Sequence, residues 1–156
     1  MSDDKRRGTG RGRRAPAPRR PGSCFGPRAA RDQAAPAPRE DPRQLLGRRG
    51  EDAAAEYLRR AGFEVVARNV RMPVGELDLV ALDGDVVVFV EVKARKRGGG
   101  LEAVDARKQA RLSRLALAFL ARAGWLEREA RFDVVAVDAD GACTHVANAF
   151  DCTLAS

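Results

Sequence analysis

The segment GELDLVALDGDVVVFVEVK, residues 75–93, limits the available folds more than any other part of the chain. Two apolar runs flank Asp83-Gly84, and a two-residue Asp-Gly connection between such runs is a strong β-hairpin signal. With Asp83 and Gly84 at the centre of the turn, Leu82 pairs with Asp85. The ladder then sets Glu76 opposite Glu91 and Asp78 opposite Phe89, with Asp78 diagonal to Glu91. Side chains alternate along each strand, so Glu76, Asp78, Glu91 and Lys93 are expected on one face. Opposed Cβ atoms lie ~5 Å apart and diagonal ones ~7–8 Å, close enough for two carboxylates to share a metal ion.

Such a placement is costly without a counter-charge. Like charges directly across a ladder are destabilising, and both runs are otherwise as apolar as strands covered on two faces. Lys93 offers one positive charge, and a divalent ion would offer the rest. Oxygen donors without His or Cys favour a hard cation, Mg²⁺ or Mn²⁺, over zinc. The competing explanation is an edge hairpin with a wet charged face, in which Lys93 pairs with Glu91; short acid-x-Lys patterns are common. Turn parity, the unbroken valines between the charges and the basic run after Lys93 favour a gathered site.

The elements around the hairpin follow from their spacing. Asp41 as N-cap and Pro42 at the first helical position open a helix that closes at Gly62. Its apolar stripe is Leu46, Gly50, Ala53, Ala54, Tyr57, Leu58 and Ala61, with Glu51 at the edge. FEVVARNV reads as a strand, the hairpin gives two more, and RKRGGG is a loop. A second helix is expected from about Leu101 to Arg122, with Lys108 and Gln109 on its inward side beside the stripe Val104, Leu112, Leu115, Ala116, Phe119 and Leu120. RFDVVAVDA and ACTHVANAF supply a fourth and a fifth strand. The order α-β-β-β-α-β-β predicts the α/β class, a mixed β-sheet flanked by helices.

Composition separates a tail from a domain. Residues 1–40 hold six of the eight prolines and 11 Lys/Arg against 4 Asp/Glu, without a periodic apolar face. They are expected to be a disordered basic tail, with the folded domain spanning 41–156. Residues 41–156 carry 18 basic and 18 acidic side chains, so the net +7 of the chain resides in the tail. Two origins fit the tail, a nucleic-acid-binding arm or translation from an over-early start codon. Within the domain, residues 93–114 gather Lys93, Arg95, Lys96, Arg97, Arg107, Lys108, Arg111 and Arg114 against Glu102 and Asp105. That run is either a phosphate-binding surface or a solvated helix face.

Cys24, Cys143 and Cys152 are odd in number and form no CxxC pair, which argues against a disulfide framework or a zinc site. With His145 as the one histidine, multi-histidine sites are excluded, and no elbow motif supports a Ser-His or Cys-His pair. No apolar run reaches the ~18 residues of a membrane span, and the tail lacks the apolar core of a secretory signal. The expected location is the cytoplasm.

Glu51 in a first helix, Asp78, and Glu91-Val92-Lys93 resemble the pattern of the PD-(D/E)xK nucleases, the restriction-endonuclease-like fold. The blocks GRRGEDAAAEYLRRAGFEVVARNVR, GELDLVA, VFVEVKAR and RFDVVAV, with the ending NAF, are more closely similar to the YraN-like bacterial family, over about residues 45–150. The resemblance implies a core related to Holliday-junction resolvases. Under it, Asp78 and Glu91 are metal ligands, the Val92 carbonyl is a third, and Glu51 completes the site. It further implies Mg²⁺ or Mn²⁺ as cofactor, Lys93 orienting or deprotonating the attacking water, DNA as substrate, and a homodimer if junctions are resolved. Arg95, Lys96, Arg97, Lys108 and Arg111 would position phosphates, with Gln109 a further candidate contact. Leu77 replaces the usual proline before the aspartate, and KRGGG follows Arg95 where relatives tend to carry an aromatic residue. Two rival functions remain: a nucleic-acid-binding module that does not cut, and a protein-interaction domain without nucleic-acid affinity.

Overall fold

An apolar run such as Val86–Val90 needs cover on both faces of a sheet, and the fold supplies one helix to each side. The computed structural model describes residues 42–95 and 102–152. It orders α1 (Pro42–Arg60), β1 (Glu64–Met72), β2 (Gly75–Asp83), β3 (Val86–Ala94), α2 (Ala106–Ala123), β4 (Ala130–Val137) and β5 (Cys143–Phe150), as the sequence predicts. The tail of residues 1–40, Asp41, Lys96 and Arg97 lie outside the described residues.

The strands stand in sequence order, β1-β2-β3-β4-β5. β3 and β4 run parallel, and the other neighbours run antiparallel. α2 is the crossover that a parallel pair requires. On one face Val80, Leu82, Val87 and Phe89 pack against Leu112, Leu115, Ala116 and Phe119 of α2. On the other, Leu79, Val88, Val90 and Val135 pack against Ala54, Ala55 and Leu58 of α1. Phe89 and Phe119 meet edge to face at 5.9 Å, a favourable aromatic geometry at the centre of the α2 side.

α2 begins at Ala106, not near Leu101, because its cap decides the start. Asp105 has extended backbone, and its carboxylate accepts the Lys108 N–H at 2.9 Å. The helix stops at Gly124, where φ of +70° lets the Trp125 N–H donate to the Leu120 carbonyl at 2.9 Å.

The hairpin turn is displaced by one residue from the sequence expectation. Asp83 pairs with Val86 and Leu82 with Val87, leaving Gly84-Asp85 as the connection. Gly84 has φ of +58° and Asp85 is not in the left-handed region, an order that suits a type II′ turn with glycine first. Each partner number rises by two, which preserves face parity but changes who meets whom. Phe89 faces Val80 rather than Asp78. The pairing ends at Leu79–Val90, so neither Glu76 nor Asp78 is paired with Glu91 in the ladder.

Alternation along β2 also fails at Asp78. Leu77 belongs to the core on the α2 side and Leu79 to the core on the α1 side, although a regular strand would give both one face. Across the ladder, between the pairs Arg68–Leu79 and Val70–Leu77, Asn69 takes φ of +50°. The backbone reverses its facing at this point in both strands. The expected single face of four charges is therefore divided, with Glu76 turned to the α1 side.

Candidate functional site

Asp78 and Glu91 lie where the reversal in β2 meets the end of the β2–β3 ladder. Glu91 is 8% exposed, a depth at which a carboxylate requires a partner. Lys108 supplies it: the Nζ of this first-turn residue of α2 ion-pairs with Glu91 Oε1. Asp78 is tied to the backbone, its Oδ2 accepting the Val92 N–H at 2.8 Å. Burial and the charge of Glu91 push the Asp78 carboxyl up to about 7, against the pull of the Val92 N–H; Glu51 raises it further and Lys108 lowers it. A carboxyl so poised marks a place where anionic charge is held at a cost.

Glu51 approaches from α1. Its Oε2 accepts from Asn69 Nδ2 at 2.9 Å. Burial first, then Glu76, raise its pKa, while Arg68 and Arg48 act in the opposite direction. Glu51 and Glu76 line a cleft of about 590 Å³ together with Arg48, Asp52, Arg68, Asn69 and Arg71. Arg68 pairs with Asp52, and Arg71 Nε with Glu76 at 3.3 Å. Charge-bearing residue types alone did not mark this cleft, because two of its arginines, Arg68 and Arg71, come from β1, whose sequence reads as an ordinary strand, and Arg48 comes from α1.

The other sequence candidates are arranged as follows. Lys93 directs its ammonium to the Glu102 carbonyl at 2.6 Å, so the cation at Glu91 is Lys108. The Val92 group that meets Asp78 is its N–H. Arg95 continues the sheet by donating its N–H to the Val137 carbonyl at 2.7 Å. Gln109 secures the entry to α2, its Nε2 donating to the Val104 carbonyl at 2.7 Å. Arg111 is exposed, and its stem lies over Gly75, where an added Cβ would come within 3.6 Å of Arg111 Cδ.

Residues 50–137 match the family described as Uncharacterised protein family UPF0102. The chain belongs to UPF0102. A UPF0102 protein of Symbiobacterium thermophilum is 51% identical over 112 residues, 67% of this chain and 95% of that relative. One of Ectopseudomonas mendocina is 48% identical over 112 residues, covering 68% and 94%. One of Geobacter sulfurreducens is 47% identical over 116 residues, covering 69% and 90%. The matched family segment begins inside α1 and ends with β4.

The donor chemistry of this UPF0102 site fits a hard divalent cation at two positions. Asp78 and Glu91 offer carboxylate oxygens, and burial first, then the charge of Glu91, raise the Asp78 pKa. Among the described residues no three His, Cys, Asp or Glu side chains converge as a ready ligand shell. Glu51, the third carboxylate expected, is instead held by Asn69.

A second buried acid was missed from the sequence. Asp133 on β4 is fully buried, and four donor groups surround it. Arg131 Nε and Nη2 lie at 3.1 and 3.3 Å, His145 Nε2 at 2.8 Å, and the Asn148 N–H at 2.9 Å. β5 carries extra residues between its pairs with Phe132 and Val134, and Asp133 binds the amide that this bulge frees. The network braces β5. The available signal was an acid between Phe132 and Val134 in a strand otherwise buried on both faces.

No described helix is long and apolar enough to cross a membrane.

Proposed function

We propose that this UPF0102 protein binds nucleic acid and hydrolyses phosphodiester bonds with Mg²⁺ or Mn²⁺ held by Asp78 and Glu91. One observation carries the reading. Two carboxylates, Asp78 and the buried Glu91, stand together just past the end of the β2–β3 ladder, and burial together with the Glu91 charge lifts Asp78 to about 7. When bound, the divalent ion supplies Lewis-acid stabilisation of charge developing on the phosphate.

The chain's own groups do the rest. The Val92 N–H fixes the Asp78 carboxylate in orientation. Lys108 and Arg111, one turn apart on α2, offer cationic contacts to the phosphate backbone that carry no sequence preference. Lys93, on the loop side of β3, provides electrostatic support near the same phosphate. Glu51 stands ready to complete the ligand set from α1 if Asn69 releases it. DNA as the polymer, branched substrates, a homodimer and a cytoplasmic setting follow from the resemblance to the resolvase-related nucleases.

The test is cleavage of supercoiled and branched DNA by the purified chain with Mg²⁺ or Mn²⁺. Asp78→Ala and Glu91→Ala are each expected to abolish it; cleavage that survives both would assign the activity to a contaminant. A second reading, a binding module that does not cut, is favoured by the Lys108–Glu91 pair, because a lysine already neutralises the deeper carboxylate. It predicts salt-sensitive DNA binding that ignores Mg²⁺ and both alanine variants.

A further inference from the structure

The Lys108–Glu91 contact places an ammonium where a metal ligand would face its ion. We infer that Lys108 is a tethered counter-ion, which occupies the cation position at Glu91 until a divalent ion displaces it. The inference rests on reading Asp78 and Glu91 as a divalent-cation site.

Three observations support an exchangeable role over a fixed structural pair. The first is charge: one ammonium faces two carboxylates, Asp78 and Glu91, and leaves the pair net negative when both are ionised. A dication balances them, so exchange gains electrostatic energy that the lysine cannot supply. The second is location. Lys108 lies in the first turn of α2, where the helix dipole disfavours a cation. Its side chain reaches Glu91 despite that field, rather than because of it. The third is freedom. The Lys108 backbone is fixed by the Asp105 cap at 2.9 Å, but its side chain is 33% exposed against 8% for Glu91. The long stem can swing the ammonium into solvent without moving the helix. Lys93 cannot take this role in the same arrangement, since the Glu102 carbonyl holds its ammonium.

The full-length chain suits a direct test because its lysines are Lys5, Lys93, Lys96 and Lys108. Amine-reactive labelling, read by peptide mass spectrometry with and without Mn²⁺, reports each of them. Mn²⁺ is expected to raise Lys108 labelling several-fold relative to Lys5, and to leave it unchanged in Glu91→Gln. Calorimetric titration adds the equilibrium side. Lys108→Gln, which keeps a neutral donor for Glu91, is expected to bind Mn²⁺ about tenfold more tightly than the wild type. Lys108→Met checks that result should the glutamine variant fold poorly. If the wild type binds Mn²⁺ but Lys108 labelling does not rise, or the neutral variants bind no more tightly, the counter-ion role is overturned while the metal site stands. If neither the wild type nor the neutral variants bind Mn²⁺, both fail.

Discussion

Replacing Asp78 by asparagine is expected to stabilise the metal-free protein at alkaline pH. The Asp78 carboxyl is lifted from 3.8 to about 7 by burial and Glu91. At about 1.4 kcal/mol per pH unit, holding Asp78 ionised costs the folded state at most about 4 kcal/mol relative to the unfolded chain. Between about pH 4 and pH 7 the folded protein retains a proton that the unfolded chain has lost, so this contribution lowers stability as pH rises. Asparagine keeps an acceptor for the Val92 N–H, now 2.8 Å from Asp78 Oδ2, and removes the charge. It also weakens a charge-assisted hydrogen bond, which offsets part of the gain. The net expectation is about 2 kcal/mol of added stability at pH 8, shrinking to less than about 0.5 kcal/mol near pH 4. Glu51 is raised as well and is present in both proteins; its charge adds to the cost of ionising Asp78, which the asparagine removes. Urea unfolding in the presence of a chelator, followed by the fluorescence of buried Trp125, measures both values. An Asp78→Asn protein less stable than wild type at pH 8, or a gap that does not close in acid, would refute the argument.

Asp133→Ala strips a fully buried acceptor from Arg131, His145 and the Asn148 amide, and should cost about 3–5 kcal/mol in urea unfolding. Phe119→Ala opens the α2 side of the core against Phe89 and Trp125 and should cost about 3–5 kcal/mol by the same assay. Arg68→Ala breaks a partly exposed pair with Asp52 and should change stability by less than about 0.5 kcal/mol in thermal melts.

The order of elements was legible because each carries its own period: the Ala53, Ala54 and Leu58 stripe, the valine runs, and the Leu112–Phe119 stripe. The inward Lys108 was legible for the same reason, since it shares the angular sector of that stripe. The Asp-Gly pair announced the hairpin correctly but misplaced its centre, because Gly-Asp serves a II′ turn as readily as Asp-Gly serves a I′ turn. That error moved partners by two and left faces intact. The division of the four charges was not legible. It depends on the left-handed Asn69, which acts across the ladder from Asp78, and sequence alternation cannot register a reversal made jointly by two strands. Lys93 was favoured over Lys108 because strand alternation put it on the same face as Glu91. Which ammonium reaches the carboxylate depends on where the Asp105 cap sets the start of α2.

Calorimetric titration of the full-length chain with Mn²⁺, wild type against Asp78→Asn, tests the central claim most directly. A saturable binding heat is expected in the wild type, with at least about tenfold weaker binding in the variant, which loses a charged oxygen ligand. Equal binding in the two proteins, or none in the wild type, would show that Asp78 and Glu91 are not a metal site.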